Sequence, residues 1–153
     1  MMPFELEVAI FDWLSDRAAY TSDKDTKRER KTVYGAIVGR KADCMGYSYA
    51  FKYALSLVGI DSAIVYGDLR GDGHAWNIVM LDGQWYNVEM VGGRNETNIR
   101  FISEGFIPRH WNVNRTDAFM AQNGYTVEDS AYNPRISCTA SCLAILVIFI
   151  KIL

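Results

Sequence analysis

Asp82-Gly83 constrains this chain more than any other residue pair. It stands between two runs, His74 to Leu81 and Gln84 to Val91, that are rich in β-branched and aromatic residues. A type I′ turn needs positive φ at both of its central residues, which Asp and Gly tolerate, and its twist matches that of the strands it joins. The pattern therefore predicts an antiparallel hairpin whose register follows from the turn. Leu81 faces Gln84, Trp76 lies opposite Glu89, and His74 lies opposite Val91. His74 and Glu89 become diagonal neighbours on one face, about 7–8 Å apart at the backbone, within reach of two medium-length side chains.

The second firm element lies upstream. Tyr47, Ala50, Phe51, Ala54, Leu55 and Val58 form one helical stripe, which predicts a helix from Cys44 to Val58 with Gly59 as its C-terminal cap. Asp43 is placed to cap the N-terminus, so Cys44 falls in the first turn, where unpaired backbone N–H groups and the helix dipole favour an anion. A cysteine attacks acyl carbon as thiolate, and its ordinary pKa of about 8.5 leaves only a few per cent ionised at neutral pH. The helix terminus and a proton-accepting His74 would both raise that fraction. Asp43 opposes them unless its charge is engaged in capping, and the cap is expected to win. Glu89 would accept a hydrogen bond from the other nitrogen of His74, fixing its tautomer and orientation. The stretch from Lys41 to Glu89 thus holds the three parts of an activated thiol nucleophile.

Around this core the chain reads as scaffold. Apolar residues from Pro3 to Tyr20 recur at helical spacing, and Pro3 suits a first helical position. Thr21 to Lys31 mixes acids and bases with no apolar face and is expected to be a solvated loop or helix face. Val33 to Val38 is an apolar segment of either type, and Ala63 to Tyr66 reads as a buried strand. Gly67 to Gly73 is expected to be a loop able to move over a site. Gly92 to Asn98 reads as a polar loop and Ile99 to Ile102 as a strand. Phe106 to Tyr125 reads as irregular wrapping with a short helix over Asp117 to Gln122.

Composition then limits the class. A chain of 153 residues with 50% hydrophobic and 13% aromatic content is long and apolar enough to bury a core, and residues 1–135 are expected to form one domain. A formal charge of -2 argues against a nucleic-acid surface. Three cysteines, an odd number without metal-finger spacing, leave at least one free thiol rather than a disulfide framework. No basic stretch precedes an apolar run at the N-terminus, so no signal peptide is expected and the chain as written reads as cytoplasmic. The segment Ile136 to Leu153 carries a single charge, Lys151. It is close to the lower length of a membrane-spanning helix, and a buried strand or a sequence artefact fits it too. Cys138 and Cys142 there are small buried residues or, only at a membrane, palmitoylation sites.

Taken together, Cys44-x-Gly46-Tyr47, Gly59-Ile60, His74-Ala75-Trp76-Asn77 and Asp82-Gly83-x-Trp85-Tyr86-x-Val88 resemble the transglutaminase-like family of bacterial and archaeal cysteine enzymes. The resemblance runs from about Phe4 to Trp111. It implies an α+β, papain-like fold with the cysteine at a helix N-terminus packed on an antiparallel β-sheet. It also implies Cys44 as nucleophile, His74 as general base and acid, and the carboxylate as orienter. Family members catalyse transglutamination, amide hydrolysis or peptide cleavage through an acyl-enzyme, so a peptide or protein substrate and no cofactor are expected.

Two departures matter. The family carries aspartate, often followed by a small residue and Trp, where this chain has Glu89-Met90-Val91. Glutamate keeps the charge but adds about 1.5 Å of reach, and a 1 Å displacement in an active site costs about a hundredfold. The expectation is a weakened or re-spaced site in which Glu89→Asp raises turnover. The competing reading is a non-catalytic module that binds a peptide or glycan in an aromatic cleft lined by Tyr47 and Trp76. His110-Trp111 supplies a competing histidine, but the hairpin geometry favours His74. Asp68 and Asp72 fall short of a calcium set, so no metal is expected, and the Asn95 and Asn114 glycosylation patterns carry no weight without secretion.

Overall fold

The computed structural model of the protein describes residues 1–24, 27–91 and 110–128. The Gly92 to Asn98 loop, the Ile99 to Ile102 strand, the Asn95 pattern and the Ile136 to Leu153 segment with Cys138 and Cys142 lie outside them. Among the described residues, no helix is long and apolar enough to cross a membrane.

Helix α1 spans Pro3–Arg17 and buries Ile10, Phe11 and Leu14. It stops three residues short of Tyr20, because Ala19–Tyr20 (β1) pairs in parallel with Lys41–Ala42 (β2), and this tertiary pairing overrides the helical spacing. Thr21 to Lys31 is not simply solvated. Glu29–Lys31 forms a 3-10 turn, and the Arg30 side chain, 12% exposed, is held by Asp43. Val33–Ile37 resolves to a short helix, α2, whose N-terminus is capped by Thr32. Helix α3, Cys44–Leu57, packs Phe51 edge-on against Phe11 at 6.2 Å between ring centres.

A four-stranded antiparallel sheet follows, ordered β5-β4-β3-β6, from β3 (Ser62–Leu69), β4 (Asp72–Leu81), β5 (Gln84–Val88) and β6 (Tyr125–Val127). The register is the expected one from Leu81↔Gln84 to Asn77↔Val88, and Asp82 and Gly83 take φ of 50° and 79°. Pairing ends at Val88 rather than at Val91. Along the outer edge of β5 the Asn87 N–H donates to the carbonyl of Arg115 at 2.8 Å and, one step past the strand, the Glu89 N–H to that of Asn112 at 3.0 Å.

Gly67 to Gly73 corrects the loop expectation. Arg70-Gly71 is a second tight hairpin, with φ of 54° and 95°, and strand residues occupy both sides of it. Arginine at the first turn position hides the signal that Asp82 announces. The wrapping region holds the expected short helix, α4 (Asp117–Gln122), but it also supplies β6, which pairs Tyr125 with Leu69 and Val127 with Gly67. Gly67 is required there by close approach: a Cβ would lie 2.0 Å from the Thr126 carbonyl oxygen and 2.9 Å from the Trp76 ring.

The sheet separates two apolar clusters. One face, through Val79, Leu81 and Val88, packs on α1 and α3; the other, through Ala63, Val65, Trp76 and Ile78, packs on Met120 of α4. Glu7 is fully buried in α1, with one carboxylate oxygen accepting from Asn114 Nδ2 at 2.8 Å and the other without a partner among the described residues. Burial pushes its carboxyl up from 4.5 to about 7, and the Asn114 hydrogen bond offsets only part of that. A raised folded-state pKa favours the protonated fold, so stability is fullest below pH 4.5 and is lost as pH rises through about 7. Glu7→Gln, which stays neutral, should match the parent near pH 4.5 and exceed it by about 3 kcal/mol at pH 8. Urea unfolding at the two pH values measures this, and parallel stability profiles would refute it.

Candidate active site

Cys44 sits where α3 begins, half-buried and as a free thiol. Asp43 precedes it in extended conformation, and its Oδ1 accepts from the backbone N–H groups of Met45 and Gly46 at 3.0 and 3.1 Å. Its Oδ2 pairs with Arg30 Nε at 3.1 Å and Lys31 Nζ at 3.2 Å. The negative charge beside the thiol is therefore engaged twice over, by the cap and by two cations that sequence reasoning assigned to a solvated run. Gly46 makes this possible, because any Cβ would lie 2.1 Å from the Arg30 carbonyl oxygen. The glycine two residues after the cysteine thus lets the cationic turn close on the helix start.

His74 arrives from the other side on β4. Asn77, on the same strand and fully buried, donates from Nδ2 to the Ser48 carbonyl at 3.0 Å and so ties β4 to α3. His74 Nε2 is in a short hydrogen bond with Glu89 Oε2. The Cys44 side chain lies close enough to His74 to act on its protonation. Burial by itself lowers the His74 pKa. The hydrogen bonds to Cys44 and Glu89, with the charges of both, outweigh burial and push it up from 6.5 to about 10. The ring is therefore an imidazolium at neutral pH, flanked by two groups that stabilise a positive charge.

Glu89 is almost completely buried. Its Oε1 accepts from the Val91 N–H at 2.8 Å, which closes the turn that carries the chain out of β5. The three residues singled out from the sequence thus meet at one point, although Glu89 reaches His74 from beyond the end of β5 rather than from within it.

The two expected cleft residues are both buried. Tyr47 is buried against α1, its hydroxyl donating to the Ala18 carbonyl. Trp76 is 1% exposed, with Nε1 donating to Asn87 Oδ1 at 2.9 Å and its ring stacked on His74. Both rings pack inside the fold, Trp76 directly against the site histidine. His110 lies against α1, its Nε2 2.7 Å from Asp12 Oδ1 and its ring edge-on to Phe11. Tyr20 was missed: it is partly exposed, and burial together with the charges of Cys44 and Asp43 raises its phenol pKa. Among the described residues, no cluster of His, Cys, Asp and Glu is sized to hold a metal ion.

A sequence model of the transglutaminase-like superfamily matches residues 1–90. Kyphoscoliosis peptidase of Mus musculus is 26% identical over 99 residues, and that of Homo sapiens 27% over the same length. Each match covers 56% of this chain and 15% of the relative, so the chain spans a small part of the length of these proteins. Among solved structures, the crystal structure of a TGase superposes with a TM-score of 0.53 at 17% identity, covering 86% of this chain and 35% of that one. That likeness is one of fold, the α+β papain-like packing of a cysteine-headed helix on an antiparallel sheet. The matched residues are more than half of the chain and include Cys44, His74 and Glu89, and the chain belongs to the transglutaminase-like superfamily.

Proposed function

We propose that the protein is a cysteine acyl-transfer enzyme that forms an acyl-enzyme on Cys44 from an amide or peptide substrate. The observation that carries this reading is that His74 is paired with Glu89 and lies beside Cys44, two partners that keep it protonated against the opposing effect of burial. In such a pair the Cys44 Sγ adds to the substrate carbonyl carbon. The carbon–nitrogen bond then breaks, and the imidazolium of His74 gives its proton to the departing amine. Water or a second amine attacks the thioester, His74 accepts its proton, and Sγ leaves. The Cys44 backbone N–H, at the helix N-terminus, is placed to donate to the oxyanion. Peptide or protein substrates are supported by the relatives that carry the name peptidase.

A binding module on the same fold is the weaker reading. The aromatic cleft it invokes would need Tyr47 and Trp76, and both are buried.

Mass spectrometry of the intact protein with glutamine peptides, with and without a primary amine, separates the branches. A mass adduct on Cys44 with peptide hydrolysis identifies a peptidase or amidase, and amine incorporation identifies transglutamination. No adduct and no product across a broad peptide set would leave the binding module.

A further inference from the structure

Tyr125 lies in the stretch that reads as irregular wrapping, yet β6 carries it to the edge of the site. Val127 faces Gly67, and Gly67 faces His74, so Tyr125, two residues before Val127, shares a sheet face with His74 and Trp76. With no side chain at Gly67, the Thr126 backbone and the Trp76 ring close over that position, and the Tyr125 ring packs against Trp76 and His74. Its centre lies 6.0 Å from the His74 ring and 5.4 Å from the Trp76 ring. The Arg70 N–H, in the β3–β4 turn, fixes the start of β6 by donating to the Gly124 carbonyl at 3.0 Å. Burial first, then the charge of Glu89 and a hydrogen bond to its side chain, raise the Tyr125 pKa, so the phenol keeps its proton and acts as donor.

Glu89 has use for a further donor. Its Oε2 serves His74 and its Oε1 accepts from Val91, but a carboxylate offers about four lone-pair sites. Glutamate also has one more rotatable bond than aspartate, and each extra rotor must be immobilised before the carboxylate can orient an imidazole. We propose that Tyr125 is a positioning residue of this site: its phenol donates to the Glu89 carboxylate and holds that longer side chain with Oε2 on His74. This assignment rests on the acyl-transfer reading of Cys44, His74 and Glu89.

Tyr125→Phe tests it, because phenylalanine keeps the ring contacts with His74 and Trp76 and removes only the donor. The readout is the rate of Cys44 labelling by iodoacetamide between pH 6 and pH 9, with thermal unfolding alongside. The proteins compared are the parent, Tyr125→Phe, Glu89→Asp, the double variant and His74→Ala. Tyr125→Phe should slow labelling at pH 6 roughly tenfold, the fold-change of one hydrogen bond to a charged group, at nearly unchanged melting temperature. In the Glu89→Asp background the shorter carboxylate falls short of Tyr125, so the same substitution should change the rate by less than about twofold. Parent-like labelling of Tyr125→Phe overturns the assignment, and so does an equal effect in both backgrounds, which marks a packing role. A parent that labels no faster than His74→Ala overturns the acyl-transfer reading itself, and this assignment with it.

Discussion

Cys44→Ala is expected to abolish turnover, and His74→Ala to do nearly as much. Nucleophile and base act as one unit, and in a comparable triad the loss of either costs on the order of a millionfold. The side chain is half-buried at the surface end of α3, so its removal leaves the helix cap and the core in place. Circular dichroism and melting temperature should therefore stay close to the parent while activity disappears. The parent should be alkylated at Cys44 at pH 6 much faster than His74→Ala, because His74 holds its proton up to about pH 10 and can stabilise a thiolate below that. Equal alkylation of the two proteins, or persistent turnover in Cys44→Ala, would exclude Cys44 as an activated nucleophile.

The parts of this site that were legible in the sequence are those set by local rules. Asp82-Gly83 fixed a register, the stripe from Tyr47 to Val58 fixed a helix, and Asp43 announced its cap. Each rests on interactions within a few residues along the chain, which a single sequence displays. What was hidden depends on distant partners. The Arg30 and Lys31 pairs with Asp43 look like a solvated charge run until the Gly46 contact brings the two segments together. β6 carries no periodic signal because its three residues gain their place from Gly67 and β3. Tyr47 and Trp76 show the converse case: their spacing announces a helix and a strand but not how deep each ring lies, and here both are buried.

Glu89→Gln should lower turnover on the order of ten thousandfold, the precedent for removing the charge of a triad carboxylate while keeping its shape. The amide cannot stabilise the imidazolium that His74 becomes, and it presents a donor or an acceptor according to its flip, so the tautomer is no longer fixed. The aspartate variant is the more informative partner. Set against the family's aspartate, the extra carbon of Glu89 looked like a misfit, and shortening it was expected to raise turnover. The structure reverses that sign. At its present length the Glu89 side chain already puts Oε2 on His74 Nε2 while Oε1 accepts from the Val91 N–H, so both oxygens are engaged and a shorter side chain would have to give up one of these bonds. Glu89→Asp would withdraw the carboxylate by about 1.5 Å from His74 and should cost roughly a hundredfold. Steady-state kinetics should therefore rank the parent above Glu89→Asp and Glu89→Asp above Glu89→Gln. A gain of activity in Glu89→Asp would show that the long side chain strains the site rather than completing it.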